Sequence, residues 1–206
     1  MKGKNPKKFR KPSAITPIFQ PAKPSQLLAD IFEEIDASSE SLRGECPQLT
    51  LHPRTGNYVP PVKGSEDCLK LNIYTNSLST SESELYPVLV IVHDSLTQGP
   101  YETDLRPKNF FAKSLDNKMV VITVSSRVGP LGFLTLGGGE IAGNMGFLDQ
   151  VLALKWIQAN IHHFGGDKDR VTLMGRDAPL HHLVSPMSEG LFKKVDINFK
   201  GDSPWI

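Results

Sequence analysis

The sequence is poor in cysteine, in net charge and in long apolar runs. Cys46 and Cys68 are the only cysteines among 206 residues, and so small a pair leaves a disulfide and two separate thiols both open. The net charge of +1 gives no electrostatic reason to expect a nucleic-acid partner. No apolar run reaches the roughly 18 residues that a membrane-spanning helix needs.

The composition is that of a soluble globular protein, with 39% hydrophobic and 22% charged residues. The N-terminus, MKGKNPKKFRKP, is basic but has no apolar core, so it is not expected to act as a secretory signal. No N-x-S/T sequon is present. We predict that residues 1–43 form a basic, proline-rich extended segment with one short helix at 25–35, and that 44–206 form one domain.

Apolar runs typical of strands alternate with stretches of helical spacing in the second part of the chain. Strands are predicted at 68–75, 86–93, 118–127, 169–175 and 191–200, and helices at 105–115, 143–164 and 178–184. Residues 36–67 are polar and rich in proline and glycine, and predict a loop. This alternation predicts an α/β fold with a mostly parallel central sheet and flanking helices. Sites in such sheets form at the carboxyl ends of strands, here after Val92, Val124 and Met174.

The stretch VTLMGRDAPLHHL (171–183) has the layout of a nucleophile elbow, in which a sharp strand-to-helix turn exposes a nucleophile within G-x-S-x-G. The five positions read Gly175, Arg176, Asp177, Ala178 and Pro179. The serine position therefore holds aspartate, and the second glycine position holds proline.

Several blocks together resemble the type-B carboxylesterase and cholinesterase family, which has the α/β-hydrolase fold. The blocks are SEDCLKLNIYT (65–75), SSRVGPLGFL (125–134), GNMGFLDQVLALKWIQANIHHFGGDKDRVTLMG (143–175) and SPMSEGLF (185–192). The resemblance implies a partial α/β-hydrolase domain that ends after the elbow helix and the next strand. Family enzymes place the acid and the histidine of their triad much further downstream.

The resemblance also implies a disulfide and a location. Cys46 and Cys68 match the first disulfide pair of the family, which implies a bridge if the chain meets an oxidising compartment. The family implies an extracellular or cell-surface location, which the chain itself does not indicate.

Both parts of the family's catalytic machinery are altered. Asp177 has no hydroxyl with which to attack an ester as serine does. Pro179 is expected to bias Ala178 away from the helical region and so to disturb one amide of the oxyanion hole. The family's HGGG oxyanion loop is replaced by four residues in which side chains crowd the turn: His93, Asp94, Ser95 and Leu96.

Asp177 has two interpretations. It could be the nucleophile, as aspartate is in epoxide hydrolases and haloalkane dehalogenases, or a polar turn residue that N-caps the following helix. We favour the polar turn residue. A separate hypothesis places a salt bridge between Asp94 and Arg176 where the reaction centre would lie.

The remaining polar positions predict structural roles. We interpret the two histidine pairs as partly exposed polar residues rather than metal ligands; they are His162 with His163 and His181 with His182. We interpret the helix residues Asp149 and Trp156 as packing residues, and Asp167 and Asp169 as turn caps. No metal or cofactor site is predicted.

The sequence therefore predicts a catalytically inactive carboxylesterase-like domain. Inactive members of the family, the neuroligin, neurotactin and gliotactin groups, are adhesion and receptor-binding ectodomains, so the resemblance implies a cell-surface protein as partner. The alternatives are an ester hydrolase and a degenerate fragment without activity. An open sheet edge is expected to allow self-association.

Overall fold

A computed structural model describes most of the predicted domain. The described residues are 46–51, 58–76, 85–92, 118–136 and 141–197. The helices predicted at 25–35 and 105–115 lie outside them, as does the proposed boundary at residue 43, so these stay predictions.

Seven strands and three α-helices make up the described part. The strands are β1 (Gln48–Leu51), β2 (Tyr58–Lys63), β3 (Leu71–Tyr74), β4 (Tyr86–Val92), β5 (Val120–Val124), β6 (Gly166–Gly175) and β7 (Lys194–Ile197); the helices are α1 (Gly129–Phe133), α2 (Met145–Asn160) and α3 (Ala178–Val184). Short 3-10 turns occupy Ile161–Phe164 and Pro186–Ser188. In the described ranges no helix combines the length and the apolar character needed to cross a membrane.

The central sheet confirms the predicted α/β class. Its strand order is β3-β5-β4-β6-β7. Strands β5, β4, β6 and β7 are parallel to one another, and β3 is antiparallel to β5. Parallel strands that follow each other in sequence need crossover connections, and α2 is one of them, leading from β5 to β6.

Strands β4 and β5 are almost wholly apolar because both faces of the sheet are covered there. Every residue of β5 is buried, as are the last five residues of β4. One core lies on the face of α2 and includes Val90, Ile122 and Leu154. A smaller cluster on the other face includes Ile91 and Met174. Strands of this kind read as continuous hydrophobic runs, which is why the sequence placed them correctly.

The prediction of a loop over residues 36–67 is wrong for two segments. β1 and β2 form an antiparallel pair, with Thr50 opposite Val59 and Leu51 opposite Tyr58. Pro60 and Pro61 lie inside β2 and argued against a strand, because proline cannot donate to a ladder. In a two-stranded sheet both strands are edges, where proline is tolerated.

The disulfide that the resemblance implied is confirmed. Cys46 and Cys68 are bridged, with their Cα atoms 4.9 Å apart, and both are buried. The bridge joins the residues just before β1 to the segment that leads from β2 into β3. It therefore ties the two-stranded sheet to the edge of the central one.

The long predicted helix is confirmed as α2 followed by a 3-10 turn. It begins after Gly143 and Asn144, both of which have positive φ. Its side chain Gln158 donates to the backbone oxygens of Lys168 and Leu191. The helix thus holds the start of β6 and the approach to β7 in place.

Candidate functional site

The carboxyl ends of β5, β4 and β6 meet at one edge of the sheet, as the sequence predicted. The three strands are neighbours in the order β5-β4-β6 and run in parallel. The turn after Val124 and the turn after Met174 are both described. The oxyanion-loop positions after Val92, from His93 to Leu96, lie outside the described residues, and so does the proposed partner of Arg176.

In the strand-to-helix turn, the backbone of Gly175 lies close to the end of β4 and to Pro179. A Cβ built on Gly175 would lie 2.5 Å from the backbone oxygen of Val92 and 3.0 Å from Cδ of Pro179. Such distances leave no room for a side chain. Gly175 therefore lets β6 pass tightly against the end of β4 before the chain turns into α3.

Asp177 is exposed in this turn, as is Arg176 before it. Its φ of −96° and ψ of −39° lie in the right-handed helical region, which any residue adopts without strain. A nucleophile elbow, by contrast, holds its nucleophile in a strained turn. Asp177 occupies the predicted N-cap position, and the Leu180 amide donates to its backbone oxygen at 3.1 Å. Its side chain makes no capping hydrogen bond, so that part of the N-cap prediction is wrong.

Pro179 has an effect other than the one expected. Ala178 is the first residue of α3, so the prediction that Pro179 biases it away from the helical region is wrong. Proline is accepted in the first turn of a helix, because the amide that it lacks would have had no partner there. Both residues are buried, and the Pro179 ring packs over Gly175.

Asp149 is part of a buried ion pair, so its interpretation as a packing residue is wrong. Its carboxylate accepts hydrogen bonds from Arg127 Nε at 2.7 Å, from Arg127 Nη2 at 2.6 Å and from the Arg127 backbone amide at 3.1 Å. The Asp149 side chain is 1% exposed and that of Arg127 is 12% exposed. The pair fastens α2 to the turn after β5. Trp156 packs against the core, as expected.

A hydrogen-bonded chain of buried polar side chains lies beside this pair. His182 Nε2 is 2.8 Å from Gln150 Oε1, and His182 Nδ1 is 2.8 Å from Ser188 Oγ. Gln150 Nε2 continues the chain to Ser126 Oγ at 3.2 Å. An amide oxygen only accepts, so Nε2 of His182 carries the proton and Nδ1 accepts from the Ser188 hydroxyl.

His182 is therefore neutral and structural. It is 3% exposed, which corrects its interpretation as a partly exposed residue, whereas His162, His163 and His181 are exposed as expected. Burial, and after it the charge of the neighbouring His181, lowers the pKa of His182 from 6.5 to about 4. Desolvation disfavours the charged imidazolium, which explains the direction.

Asp167, near the start of β6, has the structural role predicted for it. Asp167 accepts from the Asp169 amide at 2.8 Å and from Arg170 Nε at 2.6 Å. Partial burial raises the pKa of Asp167, but the hydrogen bonds from Arg170 and from the Asp169 amide outweigh it and leave that pKa below its usual value.

Comparison with known proteins decides the family. The chain matches the carboxylesterase family over residues 16–200.

The chain belongs to the carboxylesterase family.

Several curated members of the family are similar to it. It is 42% identical over 139 residues to pyrethroid hydrolase Ces2a of Mus musculus, covering 65% of this chain and 24% of that protein. It is 43% identical over 142 residues to cocaine esterase of Oryctolagus cuniculus, covering 66% of this chain and 26% of that protein. Venom carboxylesterase-6 of Apis mellifera is 35% identical over 193 residues, which cover 91% of this chain and 32% of that protein. The chain thus matches between about a quarter and a third of the length of these relatives.

In this carboxylesterase-family domain Asp177 is exposed at the turn before α3, whereas His182 is buried on α3 itself. Both ring nitrogens of His182 are engaged, by Gln150 and by Ser188, so the ring is not available as a base for Asp177. Across the described residues no group of three or more His, Cys, Asp or Glu side chains is placed to hold a metal ion.

The sequence analysis did not predict the buried Arg127–Asp149 pair or the hydrogen bonds that join Gln150 to His182. One signal of them was present in the sequence. Asp149 and Gln150 lie on the buried side of α2, where the helical period predicts apolar residues. Their partners Arg127, His182 and Ser188 are distant in sequence, and no local pattern joins them.

Proposed function

We propose that this chain is a carboxylesterase-family domain that does not hydrolyse esters and that binds another protein at a cell surface. The observation that carries the first part is the exposed carboxylate of Asp177 at the turn between β6 and α3. Acyl transfer in this family's fold needs an alcohol at that point, activated by a base.

The conformation of the turn supports the same proposal. Asp177 has relaxed helical dihedral angles, and a strained, outward-aimed nucleophile is the feature on which elbow chemistry depends. A carboxylate there also repels the negative charge that develops on the acyl oxygen. The buried Pro179 packs against Gly175. This packing favours a structural role for the turn over a catalytic one.

The protein-binding part rests on family analogy with the inactive adhesion members. It is supported by exposed apolar side chains on α3 and the 3-10 turn after it. Val184 is 81% exposed, Leu183 is 54% exposed and Met187 is 52% exposed. Apolar side chains grouped on a surface are typical of interaction sites.

The alternative function is ester hydrolysis, and the comparisons favour it. Relatives that are 42% and 43% identical carry the names pyrethroid hydrolase and cocaine esterase. Asp177 would then act as the nucleophile and form an acyl anhydride, with the alcohol leaving. A water molecule would hydrolyse that intermediate.

An ester-turnover assay separates the two functions. Purified chain is incubated with p-nitrophenyl acetate beside the heat-denatured chain, the Asp177→Asn variant and an active carboxylesterase as positive control. We expect the native chain, Asp177→Asn and the denatured chain to release nitrophenol at the same rate. Turnover by the native chain that Asp177→Asn abolishes would establish hydrolysis and reject the proposal.

Partner binding is tested with the same material on intact cells. The labelled native chain should bind saturably, and mild trypsin treatment of the cells should remove the binding, because the proposed partner is a surface protein. The heat-denatured chain is the control for adhesion through unfolded apolar segments. Binding that survives trypsin, or that the denatured chain reproduces, would contradict the proposal.

A further inference from the structure

His182 joins three elements of the domain through its two ring nitrogens. The residue belongs to α3, its Nε2 donates to Gln150 Oε1 on α2, and its Nδ1 accepts from Ser188 Oγ in the 3-10 turn Pro186–Ser188. Ser188 is 2% exposed and Gln150 is 3% exposed, so both bonds lie away from water. These bonds hold α3 and the 3-10 turn against α2.

The hydrogen-bond pattern suits a neutral ring. Gln150 Oε1 accepts from the protonated Nε2, and the Ser188 hydroxyl directs its own proton at Nδ1. A second proton on the ring, at Nδ1, would meet that hydroxyl donor to donor, so the hydroxyl would have to turn away. The positive charge would also lie in a buried site, where desolvation disfavours it.

Charged groups near His182 do not compensate for such a proton. Among the described residues, no carboxylate forms an ion pair with the ring. Burial first, and His181 on the same helix second, lower the pKa of His182. Asp149 on α2 is already bonded to Arg127. The charged residues on the other elements that contact α3 contribute nothing to that shift: Glu189 after the 3-10 turn, Arg176 and Asp177 between β6 and α3, and Lys194 and Asp196 on β7.

We infer that His182 is an acid-sensitive latch, whose neutral ring holds α3 and the turn Pro186–Ser188 on α2 and whose protonation releases them. Ala178 and Pro179 anchor the start of α3, and His182 is the buried residue of its second half. A segment held by so few buried residues opens at a lower free energy than the core of the sheet. Release would loosen the helix directly after Asp177, whether or not Asp177 is catalytic.

The release has a defined pH range. The pKa of His182 is about 4 in the closed form and 6.5 once water reaches the ring. The open form therefore takes up the proton first as the pH falls. The latch is intact above about pH 6.5, and opening is favoured progressively between pH 6.5 and 4. From pH 7 to pH 5 the ratio of open to closed molecules rises roughly 20-fold.

Hydrogen exchange of the full chain, measured by mass spectrometry and corrected for the intrinsic effect of pH, tests the latch. The peptide over residues 176–191 should exchange roughly 20-fold faster at pH 5 than at pH 7. Its exchange should depend weakly on urea, because a local opening exposes little surface. Peptides from β5 should exchange far more slowly at both pH values. Equal rates for β5 and for 176–191 would show that α3 opens only when the whole domain unfolds, and would overturn the proposal.

Two variants separate the latch from a general effect of acid. His182→Gln has no titrating ring, so exchange over 176–191 should lose its pH dependence, whereas His162→Gln, at an exposed position, should keep it. Gln150→Glu places a carboxylate against Nε2 and favours the protonated ring, so acid should no longer speed exchange. This second variant tests the proposal even if His182→Gln does not fold. Acid acceleration that persists in either latch variant would overturn the proposal.

Discussion

At the scale of single residues, the polar side chains around the carboxyl ends of the strands differ in burial. Asp177 is exposed at its turn, whereas Asp149 and His182 are almost fully buried. Buried polar groups persist only where partners replace the water that they lose. Arg127 provides them for Asp149, and Gln150 and Ser188 provide them for His182.

The depressed pKa of His182 predicts an acid-sensitive fold. The pKa is about 4 in the folded chain against 6.5 in the unfolded one, so the unfolded state binds a proton first as the pH falls. The contribution of neutral His182 is complete above about pH 6.5. It declines between pH 6.5 and 4 by up to roughly 3 kcal/mol in the free energy of unfolding.

Urea unfolding at a series of pH values measures this decline. His182→Gln should flatten the pH dependence between 6.5 and 4, whereas His162→Gln, at an exposed position, should leave the slope unchanged. Equal slopes for the unmodified chain and His182→Gln would assign the acid sensitivity to other groups.

At the scale of elements, α2 is the part that organises the site. Asp149 and Gln150 reach the segment after β5, and Gln150 also reaches His182 on α3. Gln158 near the other end bonds the backbone before β7. The helix α2 therefore holds the turn after β5, the helix α3 and the residues before β7 in place.

Breaking the ion pair of α2 should destabilise the whole domain. Asp149→Asn removes the charge that Asp149 places against the largely buried Arg127 guanidinium, which costs about 3 kcal/mol or more. Asp167→Asn is the matched control, because its pair with Arg170 is much more exposed and contributes less than about 1 kcal/mol.

Thermal and urea unfolding of the two variants gives the comparison. A loss for Asp149→Asn no larger than that for Asp167→Asn would show that the buried pair contributes little net stability.

At the scale of the whole molecule, the Cys46–Cys68 bridge joins the two sheets. Residues 52–57 connect the strands of the small sheet, and β2 leads to the edge strand β3. The bridge closes a loop of 22 residues and restricts the unfolded chain, which stabilises the fold by about 3 kcal/mol on the loop-entropy argument.

Reduction should lower the melting temperature without abolishing the central sheet. The chain is melted with and without dithiothreitol and followed by far-ultraviolet circular dichroism, with the Cys46→Ser/Cys68→Ser variant as control. We expect reductant to lower the transition of the unmodified chain and leave the variant unaffected. A cooperative transition in either state would also speak against a degenerate fragment. A melting temperature insensitive to reductant in the unmodified chain would remove the stabilising role of the bridge.

Sequence patterns located the elements well where the pattern is local. β4 and β5 are continuous apolar runs, and α2 carries its helical period and a glycine stop at Gly165. The sequence failed at β1 and β2, where prolines conceal a strand pair. It also failed at Asp149 and His182, because their partners lie 22 and 32 residues away along the chain.

The sequence by itself determined the α/β class, the strand-to-helix turn at Gly175 and the aspartate at its apex, because periodicity and residue chemistry are properties of neighbouring positions. Only the tertiary structure decided that Asp149 is ion-paired, that His182 is buried and neutral, and that Asp177 lies in an unstrained turn. Burial and pairing depend on which distant segments the fold brings together, and the sheet sets those contacts only once all of its strands are in register.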